Sequence, residues 1–282
     1  MVFLFQPIAH SWVAKHSEPI GVVEFIGGAL YGTVPHIAYS HLLRCLYEAG
    51  YTVIAVPFQF GFNHGAIAQT LLEERDRIRT ELNYPADLPH LWVGHSLGCK
   101  YIALLEASGQ LWNQPSLLIA PDISDTEDAL PLPILAHLAD RLALGVVPTR
   151  TATQTVIRSS QLFHLTALIS LAEDNIAGNS RSPAAESDVA WFIQELAGRQ
   201  DGLLLWRELA GGHREPVAVR MGQSVLRPPR CYDNRIREPQ HLRRLEPLVI
   251  DLLGQLAGRH QSAALLEGPQ ARPSGARYQR ER

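Results

Sequence analysis

A chain of 282 residues with 46% apolar and 19% charged side chains has the material for a substantial core, which excludes a disordered protein. Its formal net charge of -3 excludes the strong basic field that recruits nucleic acid or anionic lipid. Cys45, Cys99 and Cys231 form neither a CxxC pair nor an even disulfide set, and there is no HExxH and no close His/Cys cluster. These absences predict a reducing, cytoplasmic setting, with no metal and no cofactor.

The N-terminal stretch MVFLFQPIAHSWVAKH has a short apolar start without a basic n-region or a long apolar h-region, so no signal peptide is expected. No apolar run approaches the ~20 residues of a transmembrane helix. Residues 22–26 read as a strand ending in Gly27-Gly28. Residues 37–49 read as a helix, with Leu42, Leu43, Leu46 and Tyr47 at helical spacing and Gly50 where a C-terminal glycine belongs. A β-branched strand follows over 51–56, stopped by Pro57, and then a helix over 67–82 with its charges on one face.

Residues 91–93 form the next strand. It runs into Gly94-His95-Ser96-Leu97-Gly98, and a helix follows over 97–107. Further strands are predicted at 116–120, 166–171 and 203–209, with a helix over 189–197 and a last one over 242–257. Repeated strand–helix alternation predicts an α/β fold: a mostly parallel central sheet with helices on both faces. Residues 122–160 interrupt the rhythm with helix-forming sequence and predict a small helical cap over the sheet's carboxyl edge. The single domain then spans 1–258, and the Arg-, Gly- and Pro-bearing residues 259–282 predict a disordered tail. Trp12, Trp92 and Trp112 carry no motif and read as core or near-core.

GHSLG at 94–98 fits G-x-S-x-G in the strand–turn–helix setting that a nucleophile elbow requires. At such an elbow the serine adopts a strained backbone at a sharp turn and sits at a helix N-terminus. Ser96 is therefore the candidate nucleophile, and the expected fold is that of the α/β-hydrolases. A serine hydroxyl needs a base, and in this fold the chain order is Ser, then Asp or Glu, then His. His213 follows the last predicted strand on a loop opened by Gly211-Gly212 and is the candidate base. Asp174, after the strand over 166–171, is the favoured acid; Glu173 and the earlier Asp122 and Asp125 are the alternatives.

Oxyanion donors are expected from Leu97 N–H and from Ala29 or Leu30 in the glycine-bearing loop 27–32. Gly28, His64 and His95 are candidate pocket residues, with His95 read chiefly as support for the elbow. Cys99, in the first helical turn, reads as a buried structural thiol.

Several separated motifs carry a likeness: Ser11-Trp12-Val13, FIGGALYGTVPHIAY at 25–39, AGYTVIAVPF at 49–58, His64, GHSLGCK at 94–100 and AGGHREP at 210–216. Over about residues 10–255 the chain resembles an uncharacterised α/β-hydrolase-like family of cyanobacteria and plant plastids, known as a domain of unknown function. The resemblance implies the fold and the candidates Ser96 and His213, and no particular substrate. The chain departs from that family's pattern at Asn63, where an acidic residue is expected, and at Pro121-Asp122, where asparagines are usual.

The resulting expectation is a serine hydrolase that cleaves an ester or thioester of a small-molecule substrate. The apolar residues Leu130, Leu132, Ile134, Leu135 and Leu138 of the expected cap point to an apolar acyl group. Two other readings are a non-catalytic protein that binds a hydrophobic ligand or partner in the same cleft, and a cofactor-free lyase or oxygenase.

Overall fold

The computed structural model describes residues 3–85, 88–124, 145–199, 204–228 and 237–267. Eight strands form one sheet: β1 (Gln6–Ile8), β2 (Ser11–Ala14), β3 (Gly21–Ile26), β4 (Tyr51–Ala55), β5 (His90–His95), β6 (Ser116–Ile119), β7 (Thr166–Leu171) and β8 (Leu205–Leu209). Their spatial order is β1-β2-β4-β3-β5-β6-β7-β8. β3 to β8 run parallel, and β1 and β2 add an antiparallel edge.

The parallel strands are buried on both sides, so alternate residues feed two separate cores. Val22, Ile26, Trp92, Leu118 and Leu168 face one core. That core is completed by α3 (His64–Leu82), α4 (Leu97–Ala107) and α6 (Asp188–Arg199), the last contributing Val189, Phe192 and Leu196. Val23, Phe25, Val93, Leu117 and Ile169 face the other, against α2 (Ser40–Glu48) and α7 (Leu245–Glu267). The expected mostly parallel sheet with helices on both faces is what the structure contains.

Several elements differ from the sequence expectation for local reasons. The helix expected over 37–49 is two pieces, α1 (Pro35–Ala38) and α2, broken at Tyr39. α3 begins at His64 because the Asn63 side chain accepts from the Ala66 amide and caps it. Gly50, at φ +101°, ends α2 as expected.

A second sheet of β9 (Val219–Met221), β10 (Ser224–Leu226) and β11 (Arg237–Pro239) escaped sequence reasoning. Three-residue strands of mixed polarity carry too little alternation to read. α7 continues to Glu267, past the Ala257 where periodicity ends it and into the segment expected as a tail; residues 268–282 lie outside the described residues. Of the expected cap, 125–144 also lies outside them, and α5 (Arg150–Ser159) is a helix capped by Thr149. Trp92 is buried as expected, whereas Trp112 is 60% exposed and belongs to neither core. Among the described residues no helix is long and apolar enough to cross a membrane.

Glu106 on α4 is buried and accepts from the Ser116 and Thr166 hydroxyls, each at 2.9 Å. Burial pushes its carboxyl from an ordinary 4.5 up to about 7, against the pull of the two hydroxyls. The folded chain therefore holds a proton that the unfolded chain releases. Stability falls as pH rises through that window, by on the order of 3 kcal/mol in all. Glu106→Gln removes the titration, so the variant should gain on the wild type in urea unfolding between about pH 5 and about pH 8. Parallel stability profiles would show that Glu106 does not titrate there.

Candidate active site

The carboxyl ends of β5, β7 and β8 converge on one place. β5 ends at His95, and Ser96 then takes φ +54° and ψ -124° before α4 starts at Leu97. A non-glycine residue in this region is strained and persists only when its surroundings hold it. Here Ser96 N–H donates to the Ile119 carbonyl at 3.0 Å, and Ser96 C=O accepts from Cys99 N–H at 2.9 Å.

The flanking glycines are steric requirements. A Cβ at Gly98 would lie 2.3 Å from the Ile26 carbonyl oxygen, and one at Gly94 would lie 2.9 Å from the Cys99 nitrogen. Gly28, on the loop after β3, brings its backbone so close that a Cβ there would sit 3.0 Å from Ser96 Cβ and 3.3 Å from Ser96 Oγ.

His213 lies on the loop after β8. Glu173 anchors that loop: its N–H donates to the Gly211 carbonyl at 3.0 Å, and its carboxylate accepts from Gly211 N–H. His213 Nε2 is 2.8 Å from Ser96 Oγ, and His213 Nδ1 is 2.8 Å from Asp174 Oδ2. Asp174 Oδ1 accepts from the Ile176 and Ala177 amides at 2.8 and 3.1 Å. Those two amides fix the carboxylate, which in turn makes Nδ1 the donor and leaves Nε2 to accept a hydrogen bond from the Ser96 hydroxyl. All three side chains are buried.

The rival acids are occupied elsewhere. Glu173 is spent on Gly211, and Asp122 Oδ1 accepts from Ser124 N–H at 2.9 Å. Asp125 lies outside the described residues.

In the loop after β3, Gly28 N–H donates to Tyr39 Oη at 2.8 Å and is not available to a ligand. Leu30 is 57% exposed. Ala29 is half-buried beside Gly28, and Leu97 opens α4, where first-turn amides have no partner within the helix. Cys99 is fully buried with its thiol pushed well up by burial, and its Sγ donates to the Ile119 carbonyl.

His64 is buried at the start of α3 with Nδ1 unpartnered; burial and the nearby Lys100 push it down to about 4, so it is neutral. His95 has both nitrogens engaged, Nδ1 with Tyr39 Oη at 2.8 Å and Nε2 with the His213 carbonyl at 2.9 Å. Tyr39 escaped sequence reasoning, because an aromatic in an apolar stretch reads as core. Among the described residues no group of three or more His, Cys, Asp or Glu could hold a metal ion.

The family model described as "Protein of unknown function (DUF1350)" matches residues 5–200. The chain belongs to this family. The match includes Ser96 and Asp174, whereas His213 of this DUF1350 protein lies beyond it. A search of curated proteins found no match. Solved structures resemble it at the level of the fold. A lipase in its open form shares 14% identity over 88% of this chain and 94% of its own, with a TM-score of 0.56. A thermostable carboxyl esterase from Bacillus coagulans shares 12% over 90% and 98%, at 0.51. An α/β-hydrolase superfamily protein from Enterococcus faecalis shares 15% over 93% and 99%, at 0.50. The fold of this DUF1350 protein is that of the α/β-hydrolases.

Glycine geometry makes a direct test. Gly98→Ala drives a methyl into the backbone of β3 and should cost about 3 kcal/mol or more. Gly198→Ala, on α6 with open space around it, should leave stability unchanged or raise it slightly. Equal, small effects in chemical denaturation would show that the elbow is not held by this contact.

Proposed function

We propose that the protein is a serine hydrolase acting on an ester or thioester of a small-molecule acyl substrate. The observation that carries this reading is the unbroken hydrogen-bond line Asp174–His213–Ser96, at 2.8 Å for each link, ending on a serine held at φ +54°. Ser96 Oγ attacks the acyl carbonyl while His213 Nε2 takes its proton. Asp174 holds the imidazole in the required tautomer and stabilises the imidazolium that forms. The Ala29 and Leu97 amides receive the developing oxyanion.

His213 then returns its proton to the leaving alcohol or thiol. A water activated by the same imidazole attacks the acyl-enzyme and releases the carboxylic acid. Similarity of fold to a lipase and a carboxyl esterase is consistent with this chemistry. Exposed apolar side chains on the loops at the carboxyl edge, Leu30, Val34, Val147 and Ile176, favour an apolar acyl group.

Labelling with a fluorophosphonate is the test. The wild type should label and Ser96→Ala should not. Asp174→Asn should lower kcat/KM on a responsive ester by about 10⁴ through the wrong tautomer. Asp122→Asn should stay near wild type. A folded wild type that never labels, or a Ser96→Ala variant that labels equally, would overturn the hydrolase reading.

A further inference from the structure

His95 and Tyr39 join the two loops that flank Ser96. The His213 carbonyl can only accept, so His95 Nε2 must carry the proton that fills the 2.9 Å contact. His95 is 1% exposed, and burial holds its pKa well below the usual histidine range, so the ring is neutral and its Nδ1 is an acceptor. Tyr39 Oη, at 2.8 Å, then donates to Nδ1. The same oxygen accepts from Gly28 N–H, also at 2.8 Å. Each donor meets an acceptor in one direction only: Gly28 N–H to Tyr39, Tyr39 O–H to His95, His95 N–H to the backbone of His213.

The two ends of this line are the parts a serine hydrolase must hold still. One end fixes Gly28, next to Ala29 and so near Ser96 that a Cβ on it would touch the serine side chain. The other fixes the main chain that carries the base. Two backbone bonds run beside it, Ala218 N–H to the Ala38 carbonyl at 2.9 Å and His41 N–H to the Ala218 carbonyl at 3.0 Å, so the segment bearing Tyr39 is already tied to the chain after His213. The His95 ring also lies 5.1 Å from the His213 ring, centroid to centroid. A charged ring there would oppose the imidazolium that forms on His213, and a neutral one does not.

We infer that His95 is a positioning residue which, through Tyr39, sets the oxyanion loop and the base loop in register with each other across Ser96. The inference rests on the hydrolase reading above. It requires the residue before the nucleophile to offer one donor and one acceptor at opposite ends. Glutamine offers the same pair; leucine fills the space and offers neither.

The experiment compares wild type with Tyr39→Phe, His95→Leu and His95→Gln, each first shown to be folded by its thermal transition. Two readouts are taken: the rate of fluorophosphonate labelling, and the ring resonances of His213 in histidine-labelled protein across pH. Tyr39→Phe and His95→Leu should label about 10- to 100-fold more slowly, because loops out of register misplace reacting groups. Both should shift the His213 resonances, His95→Gln should restore most of the rate, and the double variant Tyr39→Phe/His95→Leu should lose little more than either single one.

Wild-type labelling with unchanged rate and His213 resonances in Tyr39→Phe and His95→Leu overturns the inference. So does His95→Gln behaving like His95→Leu, since packing alone would then explain the loss. If the wild type does not label at all, the hydrolase reading fails by itself. The resonances still decide the coupling in that case: a His213 shift in both Tyr39→Phe and His95→Leu supports it and no shift overturns it.

Discussion

The close approach of β3, β5 and α4 at the elbow is the constraint on which the site depends. Ser96 can be lifted above the sheet only if the helix that follows starts against the strand beside it. That contact leaves no room for a Cβ at Gly98, where one would lie 2.3 Å from Ile26 O and 2.7 Å from Gly27 O. The strained φ of Ser96 is held by backbone hydrogen bonds on either side, to Ile119 and from Cys99. A rigid parallel sheet, buried on both faces, supplies the stiffness that such strain needs. Ser96, Asp174 and His213 then follow the ends of three different strands, so their spacing is fixed by the sheet.

Around this elbow several buried polar groups are held neutral. Asp174 is buried, yet it is satisfied by two amides and by His213. Burial pushes His64 and His95 down, and pushes the Tyr39 hydroxyl and the Cys99 thiol up, so these groups are neutral. A positive charge on His213 would therefore meet the Asp174 carboxylate and no competing cation among these rings. Low polarity nearby makes that pairing stronger than it would be in water.

The parts of this arrangement differ in how legible they were. Ser96 was readable because five residues, a preceding strand and a following helix all had to agree, and each leaves a local trace. His213 was readable by position, after the last strand and beside paired glycines. Asp174 could only be favoured over Glu173, Asp122 and Asp125, because which carboxylate faces His213 is set by amides at 176 and 177 that a sequence does not display. The link from Tyr39 to His95 spans residues far apart in the chain and carries no pattern at all. The family match contains Ser96 and Asp174 and ends before His213.

The small sheet that sequence reasoning missed has a physical place in the site. Arg227, just after β10, and Glu238 on β11 join Glu215, Arg243 and Glu246 in a largely buried ion network. Arg243 donates to the Glu215 carbonyl at 2.9 Å, two residues beyond His213, and to Glu246 at the start of α7. Burial opposes a charge on Arg243, but Glu246, Glu215 and Glu238 more than offset it and raise its pKa. Such networks contribute little net stability, because desolvation consumes much of the attraction. What they supply is direction: each guanidinium fits only where its carboxylates are. The His213 loop is thus gripped on its far side by α7 and the small sheet, and on its near side by His95. A loop made flexible by two glycines consequently presents one histidine in one orientation over one serine.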